Sequence, residues 1–515
     1  MTNRETTHAW NYHDLTKHSY TSIRTNPHYL DWDNQPLPFK VYIDVEPIPL
    51  PRDLLQSNMP TLEAIASTGV EPIGEIKPSL DQLASILYYS AGVTKKKTYP
   101  GGEVYFRAAA CAGARYPIEI YVLCGDIVGL RAGVYHFSPG EFALRRLREG
   151  DFRSAVVRAT GFEPRVASSP VTLIYSALSW RSTWKYRDRA YRYHFWDNGM
   201  ILANALAMAV AHGLPAELVM GFIEAEVDRL IGIDGRQELA LSLLALGHTK
   251  EPPPLLTTVE EFPDLKLDVL TLSRSQVDYV SIREMHSASS LTHASEVEEW
   301  RSAKTEHQSP EAAGKLFPLS CPPRQQLASD AIEQVIQRRA STRRFAPKAI
   351  PFADLSVILD RATRRIQVDF IQQPTVELND IYLIVNRVEN LTPGAYFFRK
   401  GVRALELLKE GDFSGEARYL TLEQDLGGDA SATLFFMADL KSLLDKLGNR
   451  GYRAAQMEAG IIGGKIYLAA YAMKRGATGL TFYDDDVTEF FSPHAAGKSC
   501  IFVTSIGVPG KRPIY

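Results

Sequence analysis

The feature that most constrains this 515-residue chain is that it contains itself twice. Gly133-Val-Tyr-His-Phe137 is echoed by Gly394-Ala-Tyr-Phe-Phe398, 261 residues later (133 to 394). The same step carries Glu149-Gly-Asp-Phe152 to Glu410-Gly-Asp-Phe413, Arg189-Ala-Tyr-Arg192 to Arg450-Gly-Tyr-Arg453, and Ile120-Tyr-Val122 to Ile381-Tyr-Leu383. Further on, Gly213 matches Gly476 and Gly247 matches Gly507, with only slight drift in the step. A register shared over so long a stretch marks a tandem duplication, which decides architecture before any motif does.

The halves run from residue 75 to 250 and from 330 to 515. An N-terminal lead-in, 1–74, precedes them, and a polar linker, 251–329, separates them. The linker is long for a simple connection and is expected to wrap across both halves. Pro47–Pro51, with proline at every second position, reads as an extended surface segment.

Each half repeats one pattern. A helix (79–91; 351–364) precedes a β-branched and aromatic strand (118–124; 381–385) and a hairpin turning at Gly133 or Gly394. Another strand (171–177; 433–438) leads to a long apolar helix (197–211; 458–473). A short strand (216–220; 479–482), a short helix and a last strand (241–246; 500–505) follow. Helices around a mixed sheet give an α+β layered fold. The long helix has too few polar positions for an exposed face, so it is expected to be buried against its copy in the other half.

Composition bounds what such a pair can be. Hydrophobic residues make up 45% and charged residues 23%, and the net charge is −3. Nothing points to nucleic acid or an anionic membrane as partner. The apolar stretches 200–211 and 459–473 are too short to span a bilayer. The polar first residues lack the apolar core of a secretory signal. Cys111, Cys124, Cys321 and Cys500 show no metal-ligand spacing. The expectation is a reduced, cytoplasmic protein with no metal.

Arg338-Arg-Ala-Ser-Thr-Arg-Arg-Phe345 gathers four guanidinium groups and two hydroxyls. The set suits a phosphate, since arginine gives bidentate charge-assisted bonds and serine a short donor. It equally suits a solvated basic helix end. The segment resembles the flavin-phosphate motif R-x-S-x-R-x-F of the nitroreductase family. That resemblance implies two tandem nitroreductase-like domains forming an intrachain pseudo-dimer, with FMN as cofactor. Arg339, Ser341 and Arg343 would hold the phosphate and ribityl chain, and Lys511 and Arg512 would complete the pocket. Gly479-Leu-Thr-Phe-Tyr-Asp-Asp-Asp486 resembles the family's strand beside the flavin ring. The amides of Gly479 and Leu480 would lie near flavin N5, the glycine allowing close backbone approach. The aspartates 484–486 read as the solvated first turn of a helix, where acids complement the dipole, rather than as a metal site.

The first half resembles a narrower branch, the SagB/ThcOx-type dehydrogenases. The likeness lies in Thr16-Lys-His-Ser19, Leu30-Asp-Trp-Asp-Asn-Gln-Pro36, Arg107-Ala-Ala-Ala-Cys-Ala-Gly-Ala-Arg-Tyr-Pro117 and Trp184-Lys-Tyr-Arg-Asp-Arg-Ala-Tyr-Arg-Tyr193. The branch's loop R-x-x-P-S-A-G-A-x-Y-P touches the flavin. Here Ala110 and Cys111 replace its Pro and Ser, so a hydroxyl is lost while Ala112 and Gly113 keep the packing close. Cys111 reads as a small packed substitute for serine rather than a redox thiol. The same resemblance makes Lys185 and Tyr186 a catalytic pair. The lysine would stabilise negative charge on the reduced ring or move a proton that the tyrosine relays. The alternative has Lys185 and its neighbouring arginines simply solvating a helix approach. Asp197 and Asn204, on the apolar helix, read as packing contacts.

Family members are dimers with a flavin between subunits, so the fused halves form a monomer acting as a pseudo-dimer with two potential sites. Only one is expected to survive. The phosphate motif maps onto Ser67-Thr-Gly-Val-Glu-Pro72, which has no arginine and carries Glu71. The alanine–glycine loop maps onto 372–378, which has lost its glycine, and Leu447 replaces the tyrosine beside Lys446. The expectation is one FMN per chain at the interdomain seam, built from Arg339, Ser341, Arg343, Gly479 and Lys511 with residues 107–117. The implied chemistry is hydride or two-electron transfer on a small-molecule or peptide-derived substrate. NAD(P)H would be compatible as a transient donor, needing no G-x-G-x-x-G fold. The alternative is a non-catalytic flavin-binding or partner-binding subunit of a peptide-modifying assembly.

Overall fold

Strand Ile118–Cys124, which is Ile-Glu-Ile-Tyr-Val-Leu-Cys, is buried along its whole length and organises the sheet of the first half. The computed structural model describes residues 2–99, 102–254, 263–303, 311–371 and 377–510. Across the first sheet the order is Pro47–Pro49, Ala143–Glu149, Gly133–Ser138, Ile118–Cys124, Val171–Leu178, Glu238–Leu246 and Ala216–Val219. The second sheet repeats it with Leu316–Pro318, Ala404–Glu410, Gly394–Arg399, Asp380–Val385, Ala432–Ala438 and Ser499–Pro509. Gly476–Leu480 pairs at the end of that series, against Ser499–Pro509. The duplication extends to irregularities: the register slips between Val134 and Tyr135 and again between Ala395 and Tyr396, at the same step of 261.

The sheets are not mixed as expected; each of their strand pairings is antiparallel. The long helix does connect two strands of the same direction, Val171–Leu178 and Ala216–Val219. The last strand, Glu238–Leu246, inserts between them and runs against both. A helical crossover therefore leaves a gap that an antiparallel strand fills.

The long helices begin at Ala190 and Asn449, about two turns before their apolar pattern. Those first turns hold Tyr191, Arg192 and His194, or Arg450, Tyr452 and Arg453, all buried. The two helices cross at glycine. A Cβ on Gly199 would lie 2.6 Å from the carbonyl carbon of Gly460, and one on Gly460 would lie 2.9 Å from Trp196 Cα. Backbones approach this closely only where side chains are missing.

Each half then grips the other through ions. Arg189 and Arg192 bond Asp484 of the second half at 2.9 and 2.6 Å. Their copies, Arg450 and Arg453, bond Glu224 of the first half at 2.5 and 2.6 Å. The Asp484 reading is thereby corrected. Only Asp485 and Asp486 face solvent, while Asp484 is buried because its charge is paired.

The lead-in and the linker occupy equivalent places. Helix Thr7–Leu15 offers His13 O to Arg192 at 2.8 Å and His13 Nδ1 to the Tyr452 hydroxyl at 3.3 Å. Helix Val280–Ala288 offers His286 O to Arg453 at 2.6 Å and His286 Nδ1 to the Tyr191 hydroxyl at 3.2 Å. The segments ahead of the two domains also pair around a local twofold. Thr61 N donates to Asp330 O and Ile332 N to Met59 O, both at 3.0 Å. The repeated unit thus includes the segment that straps it.

Candidate active site at the seam

A cavity of about 330 Å³ opens between the halves, within the usual range for small-molecule sites. Its second-half wall begins where helix Ile332–Arg338 ends. Thr342 N donates to Ala477 O at 2.9 Å, and Gly510 N to Arg344 O at 2.9 Å, which pins the loop in extended form. Alternation then turns Ser341 and Arg343 toward the cavity and buries Thr342. Arg343 has no hydrogen-bond or ion-pair partner among the described residues. Arg339 does not line the cavity. Its guanidinium reaches across the seam to Ala108 O at 2.8 Å and Arg107 O at 3.3 Å, tying the phosphate-type loop to the first half. Lys511 and Arg512 lie outside the described residues.

Strand Gly476–Leu480 supplies the next wall, and within it only Gly479 is exposed. A Cβ there would meet nothing of the protein nearer than 3.5 Å, so protein packing does not demand the glycine; its free side is the cavity. The Gly479 N–H donates to the Tyr467 hydroxyl at 2.5 Å. Leu480 lines the same wall, and the buried Thr481 hydroxyl has no partner among the described residues.

The first half contributes the loop around Gly113. Asp197 holds it, accepting from Ala112 N at 2.8 Å and from the Cys111 thiol at 3.1 Å. Burial raises the Asp197 carboxyl to about 7 despite these two donors. Burial also pushes the Cys111 thiol well up, so it sits as a neutral donor. Asp197 is therefore more than the packing contact expected of it, whereas Asn204 donates to Tyr89 O at 2.8 Å and is such a contact. Gly113 has φ +57°; a Cβ there would collide with the Tyr186 hydroxyl and sit 3.0 Å from Lys185 Nζ. Gly113→Ala is expected to cost about 1–2 kcal/mol from backbone strain alone, seen as a lowered urea midpoint. Arg107 lies behind the cavity, donating to Pro38 O at 3.0 Å and Ile118 O at 3.4 Å.

Lys185 and Tyr186 end the helix Trp180–Tyr186 and face the cavity. Burial, then the charges of Arg115 and Arg343, lower the pKa of Lys185. Tyr186 meets Tyr193 edge-on at 4.5 Å, and Tyr193 meets Trp196 at 4.6 Å. Tyr193, Trp196 and Tyr467 were not singled out as site residues in the sequence; the aromatic run before the first apolar helix was the signal for the first two, and Tyr467 had none. The chamber thus has aromatic walls, two cationic groups, Lys185 and Arg343, and one carboxyl of raised pKa, Asp197.

The equivalent place across the pseudo-twofold is closed. Leu218 stands where Gly479 does (218 to 479), and its N–H donates to Gln367 O at 2.9 Å, while Asp369 N donates to Leu218 O at 3.1 Å. Asp369 also accepts from Met220 N and Gly221 N, at 2.9 and 2.8 Å. The remaining space, about 20 Å³, holds no more than water; Ser67, Thr68, Leu206 and Lys465 are among its lining. Glu458 caps Leu378 N and Asn379 N much as Asp197 caps its loop, but residues 372–376 lie outside the described residues. Among the described residues no cluster of three metal-ligating side chains occurs, and no helix is long and apolar enough to cross a membrane.

The nitroreductase family model matches residues 75–248 and 336–495, one segment in each half. The chain belongs to the nitroreductase family, a family of oxidoreductases. Its likeness to the SagB/ThcOx-type branch stands beside relatives named for processing. Over 173 residues it is 31% identical to MJ1384 of Methanocaldococcus jannaschii, described as a nitroreductase; the match covers 34% of this chain and 82% of that one. Over 170 residues it is 34% identical to the trifolitoxin-processing protein TfxB of Rhizobium leguminosarum bv. trifolii, covering 32% of this chain and 46% of that relative. A solved structure from Anabaena variabilis, also described as a nitroreductase, shares the whole architecture. It superposes with a TM-score of 0.77 at 26% identity, covering 98% of this chain and 99% of its own.

Proposed function

We propose that the chain is an FMN-dependent oxidoreductase with one flavin per chain, seated at the open seam. One observation carries this reading: the backbone edge at Gly479 faces an open, cationic chamber, whereas its copy at Leu218 is bonded to the chain's own Gln367 and Asp369. The residues fit the group. An unpaired guanidinium on Arg343 and the Ser341 hydroxyl suit a phosphate. The unpartnered Thr481 hydroxyl suits a polar ring edge, and the exposed Gly479, having no side chain, lets such an edge approach.

In this reading Ser341 and Arg343, with Lys511 and Arg512, hold the phosphate, and Cys111, Ala112, Gly113, Gly479 and Leu480 border the ring. Arg339 and Arg107 support the loops from behind. A bound flavin supplies two-electron transfer. Lys185 stands ready to stabilise negative charge or hold a proton, and Tyr186 packs beside it as relay. The aromatic walls exclude water. The substrate class is a small molecule or a peptide-derived heterocycle, in keeping with the processing relative; NAD(P)H, visiting the chamber transiently, would serve as donor where reduction is required.

The test is flavin stoichiometry. Purified or reconstituted protein is expected to release one FMN per chain. Two per chain would mean that the segment at Gln367–Asp369 yields to a ligand, and none would remove the flavin reading altogether.

A further inference from the structure

The amide expected to serve the flavin is already engaged. Gly479 N–H donates to the Tyr467 hydroxyl at 2.5 Å, so it is not free for another acceptor. Tyr467 lies on the second long helix, is buried, and forms part of the cavity wall. Its oxygen receives a proton from the amide, which leaves its own O–H to donate elsewhere. Among the described residues that O–H has one further hydrogen-bond partner, Ser341 Oγ at 3.5 Å, the outer limit of a hydrogen bond. A hydroxyl that accepts from an N–H is polarised into a better donor. The Arg339 guanidinium lies over the Tyr467 ring, 5.9 Å from its centre.

We propose that Tyr467 is a positioning residue that presents its O–H to the ring edge of a bound flavin, taking the place assigned to the Gly479 amide. The inference rests on the FMN reading above. The duplication supplies an internal contrast: the copy of Tyr467 is Leu206 (206 to 467), which lines the closed seam and has no hydroxyl. At the open seam the hydroxyl stands between Ser341, on the phosphate-type loop, and the strand carrying Gly479.

The experiment compares wild type, Tyr467→Phe, Tyr467→Leu and Ser341→Ala by FMN titration, by the visible spectrum of bound FMN and by its reduction midpoint. Tyr467→Phe is expected to bind FMN about fivefold more weakly, the size of one net hydrogen bond, with shifted absorption bands and midpoint. Tyr467→Leu, which copies the residue tolerated at Leu206, is expected to show the same shifts and guards against a local effect of the phenyl ring. Ser341→Ala is expected to weaken binding without moving the bands. Bound-flavin spectra and midpoints of both Tyr467 variants superimposable on wild type would overturn the proposal while leaving the flavin reading intact. Absence of FMN binding by wild type would overturn both.

Discussion

Asp484→Ala is expected to lower stability by about 3–5 kcal/mol, because it leaves two buried arginines without their counter-charge. Arg189 and Arg192 are both essentially inaccessible, and their guanidinium groups converge on the two oxygens of this one carboxylate. Desolvation alone would raise the Asp484 pKa, but the two arginines outweigh it and hold the carboxyl at about 2. The folded value thus lies below the value of roughly 3.9 for an unfolded aspartate. Its contribution is therefore full above that unfolded value and is lost as pH falls toward 2. Urea unfolding at neutral pH measures the first effect, and acid titration of wild type and variant measures the second. A variant with unchanged urea midpoint would mean that the seam is held by its apolar helices alone. Glu224→Ala, the copy of this substitution, should cost a similar amount because Arg450 and Arg453 are equally buried.

Arg343→Ala is expected to weaken FMN binding by about 10- to 100-fold, the range of a hydrogen bond to a charged group. The side chain has no partner among the described residues, so its removal should leave folding nearly untouched. Arg339→Ala would behave differently. Losing the bonds to Ala108 O would loosen the seam, so affinity and thermal stability should fall together. Arg343→Lys should rescue only part of the loss, since an ammonium cannot reproduce the planar fork. Calorimetry with FMN on each variant separates these cases; equal affinity for Arg343→Ala and wild type would remove this residue from the phosphate grip.

Much of the fold was legible because the chain repeats itself: a pattern read uncertainly once becomes firm when it recurs in register. The buried long helices followed from that comparison, and so did the expectation that only one seam stays open. Four things were hidden. The first turns of the long helices carry Arg192 and Arg453, which look solvent-facing until their partners, distant in sequence, are placed beside them. The antiparallel sheet escaped reading because local patterns specify strands but not the order in which they insert. The role of Arg339 was not legible because a motif gives residue types at a spacing, whereas this side chain sits at the cap of the preceding helix, before the extended loop, and reaches across the seam to Ala108 O. Tyr467, buried among apolar neighbours on a helix, gave no sign that its hydroxyl meets a backbone amide twelve residues on.

The two cavity walls belong to one polypeptide, and this changes how the chamber responds to its surroundings. A pocket assembled from separate subunits dissolves as the protein is diluted, since association depends on concentration. Here Gly113 and Arg343 are joined by covalent chain, so their encounter is intramolecular at any dilution. Nor does a change made in one wall appear twice, as it would by symmetry in a homodimer. Gly479 and Leu218 have thus been free to differ, one left open and the other sealed. The molecule is in effect a heterodimer whose pairing can never be mismatched.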